Sequence, residues 1–191
     1  MTSTSTNKLN FNIKHILFIV ENNTVPTDIR VWREANTARQ AGYMVSIIAP
    51  KDENYSRPHE VINDIEIFRH PVFSQNSGIL ATVKEYLNAF LWEILIATKL
   101  YFTKPFHIIH TANPPDNIFL VALCFRLFGV KFIFDHHDIA PELFFSKYGR
   151  KNRTIFYVLR LLEKLSCKTA DCVISTNLSY KDHVVNLHGI N

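Results

Sequence analysis

The chain has 191 residues, 47% of them apolar and 20% charged, which is a globular composition and excludes a disordered protein. That length suits one domain with a substantial core. Lys and Arg exceed Asp and Glu by 21 to 17, a net charge of +4. Such a balance suits anionic ligands or an anionic bilayer, but its scatter excludes the clustered basic face of a nucleic-acid binder.

Residues 1–10 are rich in Ser, Thr and Asn and read as a flexible tail without the apolar core of a signal peptide. A single domain is expected over 11–191. Residues 15–20, HILFIV, read as a first buried strand, followed by the polar loop 21–26. Thr27 or Asp28 can cap a helix to about Arg39, with Ile29, Trp32 and Ala35 on one face and Gly42 as its stop. Residues 44–49, MVSIIA, form a second strand. Residues 51–63 read as a polar surface excursion, and 65–68 as a short third strand.

Residues 79–103 carry a long helical pattern, and 106–110, FHIIH, a fourth strand. Asp116 can cap a helix that runs to Phe128 and stops at Gly129. A fifth strand begins at Lys131. An amphipathic helix is expected over 154–167, a sixth strand over 172–175, and a last helix capped by Ser179. Strands alternate with helices throughout, which predicts a Rossmann-like α/β domain: a parallel sheet with helices on both faces. No apolar run reaches the ~18 residues needed to span a bilayer. The three cysteines, Cys124, Cys167 and Cys172, form no CxxC pair, so a reducing compartment is the simpler assumption.

The chemistry concentrates in residues 131–142, KFIFDHHDIAPE. An apolar strand opens into Asp135, His136, His137 and Asp138, and Pro141 biases the segment away from helix. In a parallel sheet the carboxyl end of the strands is where ligands bind, so both imidazoles are expected to open onto one groove there. The alternative is polar capping of a strand end. Arg30 and Arg33 at the first helix start could assist anion binding or be solvated. His107 and His110 differ by an odd number of positions and so face opposite sides of their strand. His110 is the one that can reach the ligand edge, or it serves structure alone. Asn113 and its neighbours to Asn117 either line a pocket or make turns. Ser175 and Asn177 either meet a ligand or cap the last helix.

The first strand–helix turn reads ENNTVPTD, without a glycine, so neither GxGxxG nor the phosphate loop GxxxxGK[ST] is present. A nicotinamide-type oxidoreductase is thereby disfavoured. The apolar helix 79–103, with Tyr86, Phe90, Trp92, Tyr101 and Phe102, and the basic loop Lys147, Arg150, Lys151, Arg153 suggest peripheral contact with a membrane. Helix packing beside a solvated loop is the alternative.

Three stretches resemble the N-terminal domain of GT-B-fold glycosyltransferases of family 4. They are DIRVWREANTARQAGYMVSIIAP at 28–50, FDHHDIAPE at 134–142 and LEKLSCKTADCVISTNLSYKDHV at 162–184. The resemblance implies the acceptor-side half of a retaining, metal-independent transferase that moves a hexosyl-type unit from a nucleotide-sugar to a glycan or lipid-linked acceptor. It implies work in polysaccharide biosynthesis in the cytoplasm, at or near the membrane face, with no cofactor beyond the donor. By the same likeness His137 reaches the donor sugar with Asp138 beside it, and His136 is the competing assignment. The loop Glu21 to Val25, with Asn22, Asn23 and Thr24, would approach the donor phosphates, although the family's glycines are missing there. Arg30, His110, Asn113, His136, Glu142 and Asn177 are the further donor or acceptor contacts expected.

The family's donor-binding second domain has no counterpart in this sequence. The chain is therefore expected to be inactive alone and to act as part of a larger or two-chain enzyme. Two other readings stand beside this one. Asp135-His136-His137 spells the DHH signature of a metal-dependent phosphoesterase, though an aspartate-rich motif after the first strand is absent. A non-catalytic, membrane-associated partner subunit is the other.

Overall fold

The computed structural model describes residues 14–72, 79–148 and 153–190. The expected tail at 1–10 and most of the basic loop around Arg150 and Lys151 lie outside these residues. Seven strands and six helices follow one another along the described residues. They are β1 (His15–Ile19), α1 (Ile29–Gln40), β2 (Met44–Pro50), β3 (His59–Ile62), β4 (Ile65–His70), α2 (Ile79–Thr103), β5 (Ile108–Ala112), α3 (Phe119–Arg126), β6 (Lys131–His136), α4 (Ala140–Tyr148), α5 (Arg153–Thr169), β7 (Cys172–Ser175) and α6 (Leu178–His188).

The strands form one sheet in the order β3-β4-β2-β1-β5-β6-β7. Every pairing is parallel except β3 with β4. The architecture is the expected Rossmann-like sheet, with the chain reversal between β1 and β5 where such sheets open a crevice. Two apolar layers sandwich it. Ile16, Phe18, Val45 and Ile47 pack under α1 through Val31 and Ala35. Leu17, Ile19, Ile109, Phe132 and Phe134 pack on the other face against α2, α3, α5 and α6 through Ala97, Phe125, Cys167 and Val184.

Four local expectations need correction. Residues 59–62 are a strand, not a surface excursion. Asn63 and Asp64, both at positive φ, make a two-residue hairpin turn that pairs Ile62 with Ile65. Residues 140–148 form a helix despite Pro141, because a proline in the first helical turn loses no intrahelical hydrogen bond. The last helix is capped by Asn177, whose side chain accepts from the Tyr180 amide at 2.9 Å, and Ser179 lies within it. Asp116 does not cap α3: it is buried and accepts from Asn113 Nδ2 at 3.0 Å. Asp28, one of the two cap candidates, does cap α1 through the Val31 amide at 3.1 Å.

Candidate functional site

The strand carrying the key stretch does not stop at Phe134. β6 pairs with β7 through His136↔Ser175, so Asp135 and His136 are both strand residues. Successive side chains of a strand point to opposite faces. Asp135 and His137 therefore turn toward α1, and His136 turns under α5. The expectation that both imidazoles share one groove is overturned by this alternation. The same parity stops Asp135, His136 and His137 from converging on one metal ion as a DHH phosphoesterase would need.

On the α1 face five side chains meet at the carboxyl edge of the sheet. Arg30 and Glu34 are one helical turn apart on α1, His110 comes from β5, Asp135 from β6 and His137 from the turn after it. Arg30 Nε lies 3.3 Å from Asp135 Oδ2, and an Arg30 guanidinium nitrogen donates to His137 Nε2. A guanidinium offers no lone pair, so Nε2 is the acceptor and the ring proton sits on Nδ1. That nitrogen faces Asp135 Oδ2 at 3.5 Å. Asp138 Oδ2 is 3.9 Å from the ring's other side. His110 Nε2 lies 3.6 Å from Glu34 Oε2, and its ring stacks on Phe18 at 4.7 Å. Burial holds the His110 imidazole neutral, pulling its pKa down to about 4. Burial, then the neighbouring Asp135 charge, pushes the Glu34 carboxyl up to about 7.

Asn113 shapes the turn that presents His137. Its Oδ1 accepts from the His137 and Asp138 amides at 2.9 and 3.1 Å, and its Nδ2 donates to the Asp138 carbonyl at 2.6 Å. Fully buried, it acts on the turn's backbone.

A cavity of about 350 Å³ opens at the same edge on the α2 side of the sheet. It is walled by Asn22, Asn23 and Thr24 after β1, by Lys51 and His70, and by Thr82, Glu85, Tyr86 and Asn88 of α2. Arg69 holds the β1–α1 loop: its Nε donates to Thr24 Oγ1 at 3.2 Å and its Nη2 to the Val25 carbonyl at 2.6 Å. Glu21, on the cavity wall, and Glu93 of α2 are buried, and among the described residues their carboxylate oxygens find no hydrogen-bond partner. Burial raises the pKa of both, and the Glu93 charge adds to the rise at Glu21. Both are therefore protonated at neutral pH.

Arg30, His110, Asp135, His137 and Asp138 thus gather at one place. Asn22, Asn23 and Thr24 gather at the neighbouring cavity. Glu142 is exposed in the first turn of α4, Asn177 is spent on its cap, and Arg33 is exposed; none of the three joins either group. The anion site expected at the start of α1 already holds the Asp28 carboxylate, which competes with an incoming anion. Glu21 belongs to the loop expected near the donor phosphates, whereas Glu34 and Glu93 were not among the expected site residues. Glu34 was legible from its four-residue spacing to Arg30. Glu21 directly follows an apolar strand, and Glu93 interrupts an apolar helix.

The membrane aromatics of α2 divide between core and surface. Phe90 and Tyr101 pack on the core, and Tyr101 lies 5.2 Å from the ring of Phe106. Trp92 and Phe102 are exposed, and beside them runs an outward stripe of Val83, Leu87, Leu91 and Leu95, each about half exposed or more. Among the described residues no helix is long and apolar enough to cross a membrane.

A family model described as "Glycosyl transferase 4-like domain" matches residues 28–191. No curated protein sequence matches the chain. Among solved structures, sucrose-phosphate synthase from Thermosynechococcus elongatus is similar over 91% of this chain at 14% identity, with a TM-score of 0.68. This chain spans 45% of that protein's length. A second structure of the same synthase aligns with 90% of this chain and 81% of its own length, at 16% identity and a TM-score of 0.59. At these identities the likeness concerns the fold.

Proposed function

This chain belongs to the glycosyl transferase 4-like domain family, and from that premise we propose that it is the acceptor-binding half of a GT-B glycosyltransferase. The observation that carries the reading is the continuity of two surfaces on α2. Thr82, Glu85 and Asn88 line the polar cavity, whereas Leu87, Leu91 and Leu95 on the same helix form an exposed apolar stripe. A hydroxyl-rich glycan suits the first surface, with donors and acceptors from Asn22, Thr82 and Asn88. An acyl or polyprenyl chain suits the second. A lipid-linked acceptor would engage both at once, with the helix lying at the cytoplasmic face of a bilayer.

His137 and Arg30 stand at the edge a donor domain would face. In this reading the donor comes from a second domain or partner chain as a nucleotide-sugar, and transfer proceeds with retention and without a metal. Arg30 offers a permanent cation to the departing phosphate, trading its contact with Asp135 for one with the donor. His137, oriented by Asp135 and the Asn113 bracket, hydrogen-bonds the transferred hexose. Asp138 sits beside it at the cleft.

Titrating the chain with short oligosaccharides, a polyprenyl-phosphate-linked sugar in nanodiscs, and UDP- and GDP-sugars tests the proposal by amide NMR. Glycans should shift residues around Asn22 and Asn88, and no sugar should be transferred. Transfer by this chain alone, or nucleotide binding without any glycan response, would refute it.

A further inference from the structure

On the face of the sheet opposite Arg30, three imidazoles converge on one buried carboxylate. Glu163 of α5 lies with Oε1 at 2.8 Å from His136 Nε2, and with Oε2 at 2.9 Å from His188 Nε2 and 3.4 Å from His183 Nε2. Glu163, His136 and His188 are essentially without solvent exposure, and His183 is partly open to solvent. The ligand atoms of Glu163, His183 and His188 all lie within 4.8 Å of one another. We propose that Glu163, His183 and His188 form a binding site for a divalent transition cation of the zinc type, with His136 as the positioning residue for the carboxylate.

The division of labour follows from the two carboxylate oxygens. Oε2 faces both α6 histidines, and Oε1 is held by His136. A metal-bound carboxylate whose second oxygen accepts a hydrogen bond is the usual supporting arrangement at such centres. Bonds of about 2.0–2.1 Å in a tetrahedron set neighbouring ligand atoms about 3.3–3.4 Å apart. The His183 contact has that span already. The His188 contact is a hydrogen bond in this state and widens by about 0.4 Å as a cation takes Nε2 and the ring proton moves to Nδ1, so the imidazole stays neutral. Burial lowers the His188 pKa against the raising effect of Glu163, which favours the neutral imidazole a metal requires. Burial alone would raise the Glu163 pKa, but the hydrogen bonds from His136 and His188 outweigh it and keep the carboxyl ionised. The side open at His183 leaves an entry path and a fourth position for water. Imidazole and carboxylate donors suit zinc and its neighbours better than magnesium or calcium. The site stands apart from the sugar-transfer reading. It would clamp α6 to α5 and to the end of β6, directly behind the turn that carries His137.

The test is a titration of the metal-free chain with Zn²⁺ against a chromophoric chelator, repeated with Co²⁺ for its visible spectrum. The expected result is one equivalent per chain, an intense tetrahedral-type cobalt spectrum, and a melting temperature that rises with zinc. His183→Gln, at the partly exposed position, should fold normally and weaken binding at least about tenfold, and His136→Gln should weaken it by about 10- to 100-fold. Glu163→Gln should abolish binding, and His59→Gln on β3 should leave it unchanged. Absence of a bound equivalent at micromolar free zinc would overturn the assignment. So would stoichiometric binding that survives both His183→Gln and His188→Gln.

Discussion

Arg30 donates to Nε2 of His137 across 107 residues of sequence, and this contact decides which imidazole nitrogen carries the proton. The ring's Nδ1–H is left facing Asp135. Nitrogen-15 spectra of the imidazoles should accordingly show His137 as the Nδ1–H tautomer. Arg30→Lys should give a mixture, because a point-like ammonium cannot occupy both the Asp135 and His137 positions. In the complete enzyme, with its donor half, the same variant and His137→Ala should each lower transfer by about 100-fold.

Asn113→Ala removes one side chain that answers three backbone groups of the turn. Two amides and a carbonyl, all partly buried, would then lose that partner, so a loss of about 1–3 kcal/mol is expected. Urea unfolding of the wild type and the variant measures it.

Glu93 is buried, with no hydrogen-bond partner among the described residues, and that burial raises its pKa in the folded state while it stays ordinary in the unfolded state. Between those two values the unfolded chain releases a proton that the folded chain keeps. Stability is therefore fullest below the ordinary carboxylate range and falls as pH climbs through neutrality. Glu93→Gln should remove the part of that slope that Glu93 contributes, leaving that of Glu21, and stabilise the protein by about 2–4 kcal/mol at pH 8, as read from urea midpoints at several pH values.

His110 has the opposite sign. Its folded-state pKa, near 4, lies below the unfolded value, so stability is present above about pH 6.5 and lost as pH falls toward 4. Proton-detected imidazole shifts of His110 should stay flat from pH 8 down to about 5. A midpoint near 6.5 would refute the neutral assignment.

Leu91→Glu combined with Leu95→Glu places charge on the exposed stripe of α2 without touching the core. The double variant should keep its melting temperature within about 2 °C, as expected for surface positions. Co-sedimentation with phosphatidylglycerol-containing vesicles should drop at least about tenfold relative to the wild type, since both apolar contacts are lost and anionic repulsion is added.

The alternation of apolar strands with helical patterns was enough to predict the parallel sheet, its helices, and the carboxyl edge as the place for chemistry. The hairpin of β3 with β4 escaped because its turn is Asn63-Asp64 and not a glycine pair, although both residues take the positive φ that such a turn needs. The helix at 140–148 is masked in the sequence by Pro141, which disfavours helix at the residue before it, whereas its place in the first turn makes it harmless.

What the sequence by itself determined is local: which segments are buried, which period each follows, and that Asp135, His136, His137 and Asp138 end up at the edge of a sheet. Only the tertiary structure decided their partners. Continuing β6 by two residues sends His136 to Glu163 on one face and His137 to Arg30 on the other, because side chains alternate along a strand. Glu34, Glu163 and His188 became neighbours of that stretch through packing across the sheet, and contacts made over such distances leave no periodic trace in the chain.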